Sequence, residues 1–237
     1  MHPENLPRLQ QDNVHIFVQA MDSESGLALC EVYLGQFPVN RIAMLLNCNV
    51  NELRPNIPVY IEDEQLSDLR CSLGVDESAL VSFLGDYRPG HHDLGIFIWS
   101  PGGGSLPYRL HTGRELLMMR DGDKPLSVFI GRIPSDESFV EIPEHLFDAY
   151  VKNGLLIKRE IKEMQDKPVR GIEGHRVVLY AQKGQEWRLD AYALVRSLGN
   201  RIGWSEPLIR LEGTLLGYQD WQNDAYIAQM KASESAQ

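Results

Sequence analysis

Between Arg88 and Arg132 the chain reads as strand, glycine loop, helix and strand, and that succession limits the folds open to it. Ile96-Phe97-Ile98-Trp99 is a run of β-favouring side chains. Pro101-Gly102-Gly103-Gly104-Ser105 ends it, because proline fixes φ and glycine lacks the Cβ that would restrict the backbone. Thr112 and Glu115 stand at the spacing of a capping box, in which the hydroxyl accepts from the third helical amide and the carboxylate reaches back. A helix is therefore expected from Gly113, with Leu116, Leu117 and Met119 turned to a core and Asp121-Gly122 as its stop. Lys124-Pro125 then leads into a strand from Leu126 to Ile130.

The remaining elements do not alternate strand and helix regularly. Val14 to Val18 alternates as a strand does, and Ser23-Glu24-Ser25-Gly26 turns it into a second β run from Leu27 to Leu34, a hairpin. Val39 to Asn47 has its apolar residues on one helical face, and Val59 to Ile61 is a short strand. Asp76-Glu77-Ser78 sets negative charge at the start of a helical run from Ala79 to Leu84. Pro143 to Val151 is helical and stops at Asn153-Gly154, and the basic stretch Lys152 to Arg176 is either a helix or a hairpin. After the strand Val177 to Tyr180 come three helices. Trp187 to Leu198 ends at Gly199-Asn200; Leu208 to Leu216 is opened by Ser205 and Pro207; the last lies within Tyr218 to Met230. This irregular interleaving predicts an α+β fold, a mainly antiparallel sheet flanked by helices. Two subdomains are expected, 1–87 and 88–237, with the seam in Gly85-Asp86-Tyr87-Arg88-Pro89-Gly90.

Charge supports that division. The net charge is −10, yet Met1 to Tyr87 holds four arginines against thirteen acids, and the first lysine of the chain is Lys124. Such a first third offers no phosphate-binding cluster, which argues against nucleic acid and suits a basic protein partner. Cys30, Cys48 and Cys71 are odd in number and show no zinc spacing, so reduced thiols and a cytoplasmic location are expected. No window has the uninterrupted apolar length of a membrane span, and the N-terminus lacks the pattern of a secretory signal. His91-His92-Asp93 does not match the HxH or HxxxH spacings of metal sites, and no metal ligand set is assigned.

One stretch gathers candidate ligand-binding chemistry. Gly102, Gly103 and Gly104 would let backbone amides approach an anion, beside the amide-rich end of the following helix. Arg109 and Arg114 carry fork-shaped donors suited to phosphate or carboxylate, and His111 can carry a proton. The loop matches neither Walker A nor GxGxxG. Tyr108 followed by His111-Thr112-Gly113 resembles the histidine-containing first motif of ADP-ribosyltransferases, over these few residues only. That resemblance implies a histidine holding a ribose of the dinucleotide and a later catalytic glutamate, for which Glu186 and Glu212 are the candidates. Near the C-terminus, Trp221 with Tyr218 and Tyr226 forms an aromatic run suited to a core or an interface.

Two functions follow. The first is a soluble partner-binding or regulatory protein acting through its acidic N-terminal region. The second is a small enzyme acting on a nucleotide or phosphate-bearing small molecule, with His111, Arg114 and Glu212 as catalytic residues and Gly102, Gly103, Gly104, Arg109 and Trp221 binding the ligand.

Overall fold

Period-two alternation builds the first sheet. The computed structural model describes residues 13–50, 53, 59–62, 65, 92–99, 106–135 and 141–235. Strand β1 (Asn13–Asp22) buries Val14, Ile16, Val18 and Ala20 on one face. It runs antiparallel to β2 (Ala28–Pro38) through a turn in which the Asp22 carboxylate accepts from the Ser25 amide and hydroxyl. Gly26 takes a φ of 68° there, a conformation that favours glycine. On its other edge β1 pairs with β4 (His92–Trp99), and β4 pairs with β3 (Val59–Ile61), so the order is β2-β1-β4-β3. Helix α1 (Val39–Leu45) presses Val39, Ile42 and Ala43 onto the buried face, where Leu94, Ile96 and Ile98 complete the core. Each fully buried aliphatic side chain here contributes about 1.5–3 kcal/mol.

The second sheet has the order β5-β7-β6, all antiparallel, from β5 (Leu126–Ile133), β6 (Leu156–Val169) and β7 (Ile172–Gln182). The basic stretch is thus a hairpin. Its turn sits at Arg170 and Gly171, both with positive φ (52° and 82°), as two-residue hairpin turns require. Leu126, Val177, Leu179 and Ala181 face α4 (Trp187–Ile202), which supplies Leu189, Tyr192 and Val195, and α5 (Glu206–Leu215), which supplies Leu215. On the opposite face Phe147 of α3 (Glu144–Lys152) stacks on Tyr180 and meets Phe129 edge to face. Helix α2 (Glu115–Asp121) precedes β5, and α6 (Asp220–Ser235) follows α5. The chain is an α+β fold with two antiparallel sheets, as the interleaving of elements predicts.

Three details depart from expectation. Ser205 precedes α5 as its N-cap residue but makes no side-chain cap hydrogen bond. Residues 112–115 are not a capping box: α2 begins at Glu115 after Arg114, with no side-chain cap hydrogen bond. Gly113 instead takes a φ of 80° and its carbonyl accepts from the Ala28 amide at 2.7 Å, which holds residue 113 out of the helix. Helix α4 also runs past Gly199-Asn200 to Ile202 and stops at Gly203, which has a φ of 88°. Gly199 is kept small by Trp204, whose ring lies 2.6 Å from where a Cβ would stand.

The chain divides into two compact units, 1–113 and 114–237. The expected seam at Gly85 to Gly90 lies outside the described residues, as do the Ala79 to Leu84 helix and Gly102 to Gly104. Strand β4, which follows that seam in sequence, is paired with β1 in the first unit.

Candidate functional site

The side chains of β1 that do not enter the core make a second surface. Direct register partners share a face, so His15 stands with Gln36 and Trp99, Phe17 with Tyr33 and Phe97, and Gln19 with Glu31 and Gly95. Ring contacts run continuously across it. His15 lies 4.9 Å from Trp99 and 5.9 Å from Tyr33, while Phe17 lies 4.9 Å from Tyr33 and 6.4 Å from Phe97, centroid to centroid. His15 is held from both nitrogens, by Tyr33 Oη at 3.0 Å and Gln36 Nε2 at 2.8 Å. The neutral tautomer with the proton on Nδ1 satisfies both, accepting from the amide and donating to the phenol. Tyr33 is 50 % exposed, and Trp99, Phe97, Phe17 and His15 are partly so.

Arg109 fastens one end of this surface. Its guanidinium lies over Phe17 and Phe97, 3.6 Å and 4.6 Å from the ring centres. Both terminal nitrogens donate to Glu31, at 2.8 and 2.7 Å, and Glu31 also accepts from Gln19 at 2.6 Å. With side chains only 11 % and 9 % exposed, Arg109 and Glu31 form a desolvated bidentate pair capped by two aromatic faces. The fork that the sequence assigns to a ligand is directed at a carboxylate of the protein itself.

The other expected site residues fall in separate places. His111 is buried in the first unit with Arg109. Arg114, Glu212 and Trp221 belong to the second unit. Arg114 is the N-cap residue of α2, a helix of seven residues with a correspondingly short dipole, and its Nη1 lies 3.9 Å from Met118 Sδ. Glu212 on α5 accepts from the Tyr192 hydroxyl at 3.0 Å, and burial raises its pKa above the usual carboxyl value. Trp221 is half exposed on α6, with Nε1 donating to Gln219 at 2.6 Å.

Polar groups of the second unit are arranged for packing. Glu144 accepts from Arg176 and Lys158, which lowers its pKa to about 2, the Arg176 hydrogen bonds contributing most. Arg196 forms a bidentate pair with Glu163 at 2.7 and 2.8 Å. Lys124 is buried, donates to the Leu216 carbonyl at 3.3 Å, and has its pKa lowered to about 8 by desolvation. Ser127 and Tyr180 are register partners, fully buried, and neither hydroxyl has a hydrogen-bond partner among the described residues. Among the described residues no three His, Cys, Asp or Glu side chains are grouped to hold a metal, and no helix is long and apolar enough to cross a membrane.

What linear reading missed is the aromatic face. Its signal was present as His15 and Phe17 two apart on one strand and Phe97 and Trp99 two apart on another. Only the antiparallel register joins them into one surface. Comparison with known proteins finds no matching family model, no matching curated protein and no matching solved structure.

Proposed function

We propose that the protein acts by binding a basic polypeptide partner on the aromatic outer face of its first sheet. The observation that carries this reading is the continuous, partly exposed run of His15, Phe17, Tyr33, Phe97 and Trp99 on the side of the sheet opposite the core. Aromatic side chains dominate interface energetics, and the faces of Tyr and Trp attract Lys and Arg. Asp93 is exposed on the same face of β4, and the first 87 residues carry nine more acids than bases. That field steers a cationic chain toward the rings and weakens with salt. The buried Arg109–Glu31 pair contributes no net charge to the surface and holds Phe17 and Phe97 in place.

The test is a pull-down from source lysate at low and high salt, with Tyr33→Ser, Trp99→Ala and charge reversal at Glu62, Asp63 and Glu64. A partner that is lost in all three variants and released by salt supports the reading. A partner retained by Tyr33→Ser and Trp99→Ala rejects this face as its seat. A thermal shift with nucleotides or sugar phosphates that Arg114→Ala abolishes would replace partner binding with the enzyme reading.

A further inference from the structure

Helix α4 carries two apolar stripes, one buried by the second unit and the other left largely open, with Ala191 of the open stripe packed against the buried cluster. Leu189, Tyr192, Val195 and Gly199 face the sheet and are buried. Trp187, Ala191, Leu194, Leu198 and Ile202 follow one another at four, three, four and four residues and fall within an arc of about 80° at 3.6 residues per turn. Trp187, Leu194 and Ile202 are 56 %, 62 % and 69 % exposed. Singly exposed apolar residues are ordinary, but an aligned stripe four turns long marks a surface for another helix.

We infer that this stripe pairs with the same stripe of a second copy of the chain, the two α4 helices running antiparallel about a two-fold axis. A single helix can pair with itself in this way only if its pattern is self-complementary when reversed. The sequence meets that condition. Reversal sets Trp187 against Ile202 of the second copy and Ala191 against Leu198, with Leu194 beside the axis, so the largest side chain meets an aliphatic one at each end.

Charge agrees with the same arrangement. A two-fold normal to the plane of the helices brings like flanks together, and Asp190 and Arg201 occupy the same flank of the stripe, near its opposite ends. Reversal therefore places each Asp190 near the Arg201 of the other copy, giving two interchain pairs. Asp190 pairs with Arg159 at 2.6 Å within the chain but its side chain remains 79 % exposed, leaving oxygen surface for a second cation. Arg201 is exposed and makes no ion pair among the described residues. A parallel pairing, whose two-fold runs along the helices, would send the two copies of this flank to opposite sides of the contact and leave Asp190 and Arg201 at opposite ends, so neither interchain pair would form. The contact is about 24 Å long at 1.5 Å per residue and sits at the small end of specific interfaces, so association at micromolar concentration is expected.

Sedimentation velocity on the full chain from 1 to 200 µM tests this. Wild type is expected to pass from monomer to dimer, and Leu194→Asp to remain monomeric with unchanged far-ultraviolet circular dichroism. Arg201→Glu alone and Asp190→Lys alone should each weaken self-association at least tenfold, whereas an equimolar mixture of the two should form a heterodimer of near wild-type affinity. That cross-rescue is specific to two-fold antiparallel pairing. A wild type that stays monomeric throughout overturns the inference, as does a dimer indifferent to Leu194→Asp or a mixture no tighter than either variant alone.

Discussion

At the scale of single residues, the pair of Glu31 against Arg109 is a nearly buried electrostatic commitment of the first unit. Both charges are nearly closed off from water, so their attraction must offset a desolvation cost on each side, and removing one leaves the other uncompensated. Glu31→Gln should destabilise the first unit by about 3 kcal/mol in urea unfolding. Glu31→Leu combined with Arg109→Met should cost markedly less, because no stranded charge remains; equal losses would show that the pair is not desolvated as described. Lys124 gives a second test, in pH. Its folded pKa, about 8, lies below the ordinary 10.5 because burial disfavours the ammonium, an effect that Glu115 only partly opposes. Between those values the unfolded chain holds a proton that the folded chain does not, so stability rises with pH across that window. The full rise is roughly 3 kcal/mol at 1.36 kcal/mol per pH unit, and it should vanish in Lys124→Met when urea midpoints at pH 8, 9 and 10 are compared.

At the scale of elements, strands and helices were readable wherever period and stop signals agreed. Gly122, Asn153-Gly154 and Gly217 end or follow helices where expected, with left-handed glycines at 122, 154 and 217. Failures came where a distant partner overrode a local pattern. Thr112 and Glu115 have capping spacing, but the Ala28 amide takes the Gly113 carbonyl and moves the helix start to Glu115. Gly199 looks like a stop, but the ring of Trp204 folds against it and the helix continues. Arg109 looked like a ligand fork because Glu31, 78 residues earlier, cannot be tied to it by spacing. The candidate site was therefore legible as residue types and illegible as an assembly. The helix start yields a prediction that separates the two readings. A working cap would make Thr112→Ala cost about 1 kcal/mol. With no cap bond present, the change should stay within about 0.5 kcal/mol, while Gly113→Ala should cost about 1–2 kcal/mol through its positive φ alone, since no atom of the described residues lies within 4 Å of a Cβ there.

At the scale of the whole molecule, each compact unit has its own sheet and its own buried cluster. The charge imbalance ends near Tyr87, whereas the sheet that this acidic segment builds is completed by β4, which brings Leu94, Ile96 and Ile98 into the first core and pairs with both β1 and β3. Composition and hydrogen bonding thus place the boundary differently, and truncation tells them apart. A fragment ending at residue 87 would keep β1, β2 and α1 but expose one long edge of β1 and the apolar side chains that β4 covers, a template for aggregation. A fragment ending at Gly113 retains β4, Arg109 with Glu31, and the Ala28–Gly113 hydrogen bond. The 1–113 fragment should unfold cooperatively in urea and keep the near-ultraviolet dichroism of Trp99, and the fragment from Arg114 onward should unfold cooperatively by itself. The 1–87 fragment should show neither soluble expression nor a cooperative transition. If 1–87 folds and 1–113 does not, the sheet is not the unit that carries stability, and the boundary belongs where the charge changes.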